Sequence, residues 1–133
     1  MTPAPGGLHH VEIWVPDLVG ALRPWSWLLG ELGWTPFQEW PVGRSWRHGS
    51  LYLVLEQSPA LTGDTHDRLR PGLNHLAFHA GPPGEVDRLA TAAPAYGWSP
   101  LFADRYPRAG GADSYAAYLE DPWGYEVELA ASA

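Results

Sequence analysis

At 133 residues the chain is one domain's worth of material, too short for two independent cores with an interface between them, and a hydrophobic content of 45% excludes disorder along its whole length. Fifteen acidic residues against eight basic ones, all Arg, give a net charge of −7, which offers no electrostatic footprint for nucleic acid or an anionic membrane. The absence of cysteine removes disulfides, thiolate metal sites and cysteine nucleophiles together, so any metal must be held by His and carboxylates.

In chain order, Leu8 to Val15 alternates as a half-buried strand does. Asp17 to Leu32 carries Leu18, Leu22, Trp25, Leu28, Leu29 and Leu32 at spacings of three and four, which predicts an amphipathic helix starting near Asp17. Pro24 interrupts that pattern and demands a helix start close before it or a kink, because a mid-helix proline costs about 3 kcal/mol. Arg44 to Gln57 reads as two short strands with a turn at His48-Gly49, and Gln57 to Gly72, polar and broken by Pro59, Gly63 and Pro71, reads as a connection. A strand follows at Leu73 to Ala80, a weaker helix at Pro83 to Ala95 with Val86, Leu89 and Ala93 on one face, and short strands from Ser114 to Ala130 around Pro122-Trp123-Gly124.

The second half repeats the first. Leu8-His9-His10-Val11-Glu12-Ile13-Trp14-Val15 matches Leu73-Asn74-His75-Leu76-Ala77-Phe78-His79-Ala80, and Gly33-Trp34-Thr35-Pro36-Phe37 recurs as Gly97-Trp98-Ser99-Pro100-Leu101 at nearly the same spacing. The expected architecture is α+β: a β-α-β-β-β module used twice within a single domain spanning 1–133. Module 1 covers about 8–57, the linker about 58–71 and module 2 about 72–130.

Alternation places Val11, Ile13 and Val15 on the helix-packed face of the first strand and His10, Glu12 and Trp14 on the other. The second copy divides in the same way, with Leu76, Phe78 and Ala80 inward and His75, Ala77 and His79 outward. In the last strand Tyr125, Val127 and Leu129 form the apolar row, with Glu126 and Glu128 opposite. A three-residue loop at Pro122-Trp123-Gly124 would set Tyr118 directly across from Glu128. Two His and one carboxylate on one concave face are the ingredients of a facial metal triad with open positions for substrate or water. Glu126 is the rival carboxylate, and Glu12 and His79 could orient the ligands.

These residues resemble the vicinal oxygen chelate superfamily of glyoxalases, bleomycin and fosfomycin resistance proteins and extradiol dioxygenases. The motifs that carry the resemblance are His10-Val11-Glu12-Ile13-Trp14-Val15-Pro16-Asp17, Gly72-Leu73-Asn74-His75-Leu76-Ala77-Phe78 and Asp121-Pro122-Trp123-Gly124-Tyr125-Glu126-Val127-Glu128-Leu129. The resemblance implies one curved mixed sheet around a concave pocket with the helices outside. It also implies one divalent metal (Fe, Mn, Ni or Zn) on His10, His75 and Glu128, with Tyr118 touching substrate. A fourth ligand of the glyoxalase I kind is missing: aligning Gly49 with Gly124 puts Leu53 opposite Glu128, and Glu56 sits on the other parity.

The expected function is a metal-dependent enzyme acting on a small organic substrate through its vicinal oxygens, by lyase, isomerase, transferase or ring-cleaving dioxygenase chemistry. Glu128 and Tyr118 are its catalytic residues, and Trp14, His79, Arg108 and Tyr118 contact substrate. The alternative is a metal-free protein that sequesters an aromatic drug or natural product between Trp side chains, as bleomycin-resistance relatives do. A homodimer without nucleic-acid or membrane partners is expected. No apolar run reaches the length of a membrane span and residues 1–7 lack export features, so a cytoplasmic location is expected as well.

Overall fold

In the computed structural model, which describes residues 2–132, the first alternating stretch forms β1 (His10–Trp14). It leads into α1 (Leu18–Glu31), whose first turn is capped by Asp17, the carboxylate accepting from the Gly20 amide at 3.0 Å. Pro24 lies inside α1, and the helix runs through it with the ring buried beside Trp25, Leu28 and Leu29. The packed face therefore offsets the hydrogen bond that proline forgoes. β2 (Thr35–Trp40), β3 (Gly43–His48) and β4 (Leu51–Glu56) follow, and the sheet has the order β1-β4-β3-β2. The β1–β4 pair is parallel and the others are antiparallel.

The second module repeats this plan. It consists of β5 (His75–His79), α2 (Pro83–Ala92), β6 (Ser99–Leu101), β7 (Ala116–Glu120) and β8 (Glu126–Ala130), in the order β5-β8-β7-β6 with β5–β8 parallel. A short 3₁₀ turn, Ala93–Tyr96, extends α2. Both helical segments end alike: Gly33 and Gly97 take left-handed φ of 86° and 99°, and the following Trp amides donate back to Leu29 and Ala93. The repeated Gly-Trp landmark is thus a helix-terminating device.

The chain divides into two compact units, one up to Asp64 and one from Thr65 onward. The boundary falls inside the connecting segment, so the second half of the linker belongs to the second module. In the first unit Ile13, Val15, Trp25, Leu28, Leu29, Leu53 and Leu55 are buried; in the second Val86, Leu89, Ala93, Trp98, Ala117, Leu119, Val127 and Leu129 are. Ile13, Val15, Trp25, Leu28, Leu29, Val86, Leu89, Ala93, Val127 and Leu129 belong to rows expected to face inward, whereas Val11, Leu22, Leu32, Leu76 and Phe78 of the same rows are only half-buried. Among the described residues no helix is long and apolar enough to cross a membrane.

The β7–β8 hairpin closes as expected. The Asp121 amide donates to Tyr125 O across the three-residue loop, Gly124 has φ of 99°, and Tyr118 pairs with Glu128. The side chain of Asp121 also caps the loop, accepting from the amides of Trp123 and Tyr125 at 2.9 Å each. The β3–β4 hairpin is tighter: His48 pairs with Leu51 across Gly49-Ser50. This corrects the alignment of the two modules. His10 pairs with Tyr52 as His75 pairs with Glu126, so Val54, not Leu53, occupies the position of Glu128. Glu56 consequently lies on the same row as Tyr52 and Val54, on the His10 face.

Candidate metal and substrate site

In the first unit, β1 presents His10, Glu12 and Trp14 on its exposed face. The His10 ring stacks on Tyr52, with centroids 4.8 Å apart and planes 7° apart, and its Nδ1 lies 2.8 Å from Nδ1 of His9. Trp14 Nε1 donates to Glu12 at 2.7 Å, which holds the indole along the strand. Glu56, opposite Trp14 in the register, accepts from Trp40 Nε1 at 3.3 Å.

In the second unit, β5, β7 and β8 bring His75, Tyr118 and Glu128 together. His75 Nε2 lies 3.2 Å from Glu128 Oε1, and the Tyr118 ring meets the imidazole edge to face at 6.1 Å. Tyr118 stands directly across from Glu128 in the β7–β8 register and faces that carboxylate. Burial, followed by the negative charge and acceptor oxygens of Glu128, raises the pKa of the phenol above its ordinary value. The loop between β6 and β7 covers this end of the ring: a Cβ placed on Gly110 would stand 2.7 Å from the Tyr118 hydroxyl. His79 ends β5 exposed, opposite Ala130. Arg108 turns to its own loop, where Nη1 donates to Ser114 O at 2.6 Å and the guanidinium lies over the Tyr115 ring. Neither belongs to the His75–Tyr118–Glu128 grouping.

Three residues around it went unremarked in the sequence or were given another role. Asn74 Oδ1 stands 2.7 Å from His75 Nδ1, while its Nδ2 donates to Arg68 O at 3.0 Å. Glu126, the rival carboxylate, is buried beneath the site with 3% of its side chain exposed, and Oε1 makes no hydrogen bond. Arg68 supplies its countercharge, with Nη1 3.3 Å from Glu126 Oε1 and Nε 3.2 Å from Glu120. Burial raises the carboxyl pKa of Glu126, with Arg68 and then His75 opposing the rise. Arg68 lies in the polar linker, where composition gives no sign of a tertiary partner.

Within either unit, among the described residues, no three His, Asp or Glu side chains are gathered at metal-holding spacing. The His75–Glu128 pair nonetheless suits a divalent cation. Two donors 3.2 Å apart, each about 2.1 Å from one ion, would subtend about 100°, between the tetrahedral and octahedral values.

A separate cleft of about 490 Å³ opens on the α2 side of the second sheet, lined by residues such as Ala90, Leu101, Tyr106, Tyr115 and Ala117, and Tyr118 borders it. At its edge Asp87 accepts from the hydroxyls of both Tyr106 and Tyr115.

The repeated module accords with comparison to known proteins. The family model described as glyoxalase/bleomycin resistance protein/dioxygenase superfamily matches residues 9–118. The chain belongs to this superfamily. It is 44% identical over 126 residues to Bacillus subtilis (strain 168) YqjT, a protein of uncharacterised function, covering 93% of this chain and 98% of that one. A crystal structure of a proposed glyoxalase from Bacillus halodurans is 45% identical and covers 96% of this chain and 97% of its own, with a TM-score of 0.91. A lactoylglutathione lyase from Agrobacterium tumefaciens shares the superfamily fold at 20% identity and a TM-score of 0.62, over 98% of this chain and 96% of that one. The superfamily thus includes enzymes and binds small molecules.

Proposed function

We propose that this superfamily member is a metal-dependent enzyme acting on a small organic substrate that offers two adjacent oxygens. The observation that carries the reading is the grouping of His75, Glu128 and Tyr118, an imidazole nitrogen beside a carboxylate oxygen with a phenol directly across the hairpin from that carboxylate. His75 and Glu128 are two ligands of the metal. His10, the repeat counterpart of His75, is assigned as the third from the repeat and the resemblance. When bound, a divalent cation supplies Lewis acidity toward the substrate oxygens.

The chain's own groups do the rest. Tyr118, its pKa raised, keeps its hydroxyl proton at neutral pH and can donate it, as a hydrogen bond or outright, to an oxygen on which charge develops. Glu126, held by Arg68, puts a fixed negative charge beneath His75 that favours an electron-rich imidazole. Trp14 presents an apolar surface on the His10 face of β1 for the organic part of the substrate. Superfamily members often assemble as dimers, and a homodimer is part of this proposal.

The test is turnover. Metal-free protein reconstituted with Fe(II), Mn(II), Ni(II) or Zn(II) is screened against hemithioacetals, vicinal diketones, catechols and epoxides. The reading expects conversion with at least one metal, abolished by Glu128→Gln. Conversion that survives Glu128→Gln, or that needs no metal, would refute it.

A further inference from the structure

We propose that Asn74 sets the tautomer of His75, keeping the imidazole proton on Nδ1 so that Nε2 turns its lone pair toward Glu128. The purpose of this device rests on the metal-site reading above; the hydrogen-bond logic does not. An Asn amide has an accepting end and a donating end, and only its partners reveal which is which. Here Arg68 O decides, because a backbone carbonyl 3.0 Å away can only accept, so the atom beside it is the amide nitrogen. The oxygen is then the end that stands 2.7 Å from His75 Nδ1.

An oxygen at that distance requires a proton between the two atoms, since two facing lone pairs would repel strongly. A neutral imidazole has one N–H, and Asn74 claims it. Nε2 is left as an acceptor 3.2 Å from Glu128 Oε1, itself an acceptor. The shorter contact is the one that demands the proton, and the longer one, which is not among the hydrogen bonds of the site, is where a cation would take up both lone pairs. Glu126 does not compete for the Nδ1 proton: its nearer oxygen is 3.9 Å away, and Arg68 holds its charge. Arg68 therefore acts twice, with its carbonyl orienting Asn74 and its guanidinium occupying Glu126.

The first module carries an analogous arrangement. His9, in the position of Asn74, places its Nδ1 2.8 Å from Nδ1 of His10. In both modules the residue before the outward histidine contacts Nδ1 through its side chain. Asn74 is thus a positioning residue: it acts on the metal through His75.

The experiment reads the proton directly. Long-range ¹H–¹⁵N spectra of ¹⁵N-labelled, metal-free protein at about pH 8.5, well above the ordinary imidazole pKa, distinguish protonated from bare ring nitrogens, with His75→Gln identifying the signals. The expected result is a protonated Nδ1 and a bare Nε2. Asn74→Ala should move the proton to Nε2, where Glu128 accepts it, and weaken Zn(II) binding by about 10- to 100-fold. Asn74→Asp, which keeps an acceptor at that place, should retain the Nδ1 proton. A wild-type His75 protonated on Nε2, or an Asn74→Ala protein that still protonates Nδ1, would overturn the inference. If Asn74→Ala moves the proton but neither it nor the parent binds Zn(II), the tautomer assignment stands and the metal reading falls.

Discussion

Arg68→Ala removes the countercharge of Glu126, a carboxylate with 3% of its side chain exposed and one oxygen without a hydrogen bond. Breaking a buried ion pair by deleting one partner costs about 3–5 kcal/mol, because the remaining charge is neither paired nor solvated. Arg68 is 20% exposed, which places the cost near 3 kcal/mol, with the Glu120 contact adding less than about 1 kcal/mol. For a chain of this size that corresponds to a melting temperature lower by about 10 °C. The pKa of Glu126 is already raised by burial and would rise further once Arg68 is gone. A carboxyl whose folded pKa lies above its unfolded value destabilises the fold where it is ionised. The deficit should therefore be full at pH 7 and shrink as pH falls through the raised pKa. Urea unfolding of wild type, Arg68→Ala and Arg68→Ala/Glu126→Gln at pH 7 and about pH 5 checks this, with the double variant recovering most of the loss. A deficit below about 1 kcal/mol, or no rescue by Glu126→Gln, would refute the assignment of Arg68 as the countercharge.

Tyr118→Phe should keep metal affinity while lowering turnover by about 10²-fold or more, measured as kcat on whichever substrate the screen identifies; a loss within threefold would remove its catalytic role. Asp87, whose carboxyl is held below the ordinary range first by the Tyr106 hydroxyl and then by that of Tyr115, contributes stability present above its unfolded pKa and lost as pH falls through its folded one. The stability gap between wild type and Asp87→Asn should accordingly be constant from about pH 5 to 7 and close below about pH 4 in urea titrations. Gly124→Ala should cost about 3 kcal/mol or more in urea unfolding, since φ is +99° and a Cβ there would lie 2.1 Å from His66 O.

The parts of the fold governed by local rules were legible in the sequence. Alternation sorted His10 and His75 from their apolar neighbours, and the Asp-Pro-Trp-Gly loop fixed a register that put Tyr118 opposite Glu128. The face of β4 was not legible in that way, because the β3–β4 loop has two residues and the β7–β8 loop three, so their glycines are not equivalent. That single residue exchanged Leu53 for Val54 and reversed the face assigned to Glu56. Arg68 and Asn74 were not visible as partners of the site. Their roles depend on how the linker folds back onto β5 and β8, a long-range contact that no periodicity encodes. Arg108 was expected at the site from its nearness in sequence, but the direction of a long loop is set by its own hydrogen bonds, here to Ser114.

Equilibrium metal binding tests the central claim most directly. Protein purified without a metal-affinity column, stripped with chelator and titrated calorimetrically with Zn(II) or Mn(II), should bind one ion per chain. His75→Ala, Glu128→Ala and His10→Ala should each weaken that binding at least about 100-fold while remaining folded, since none of these side chains belongs to the buried apolar rows. Parent-like binding in all three variants, or no binding by the parent, would contradict the account.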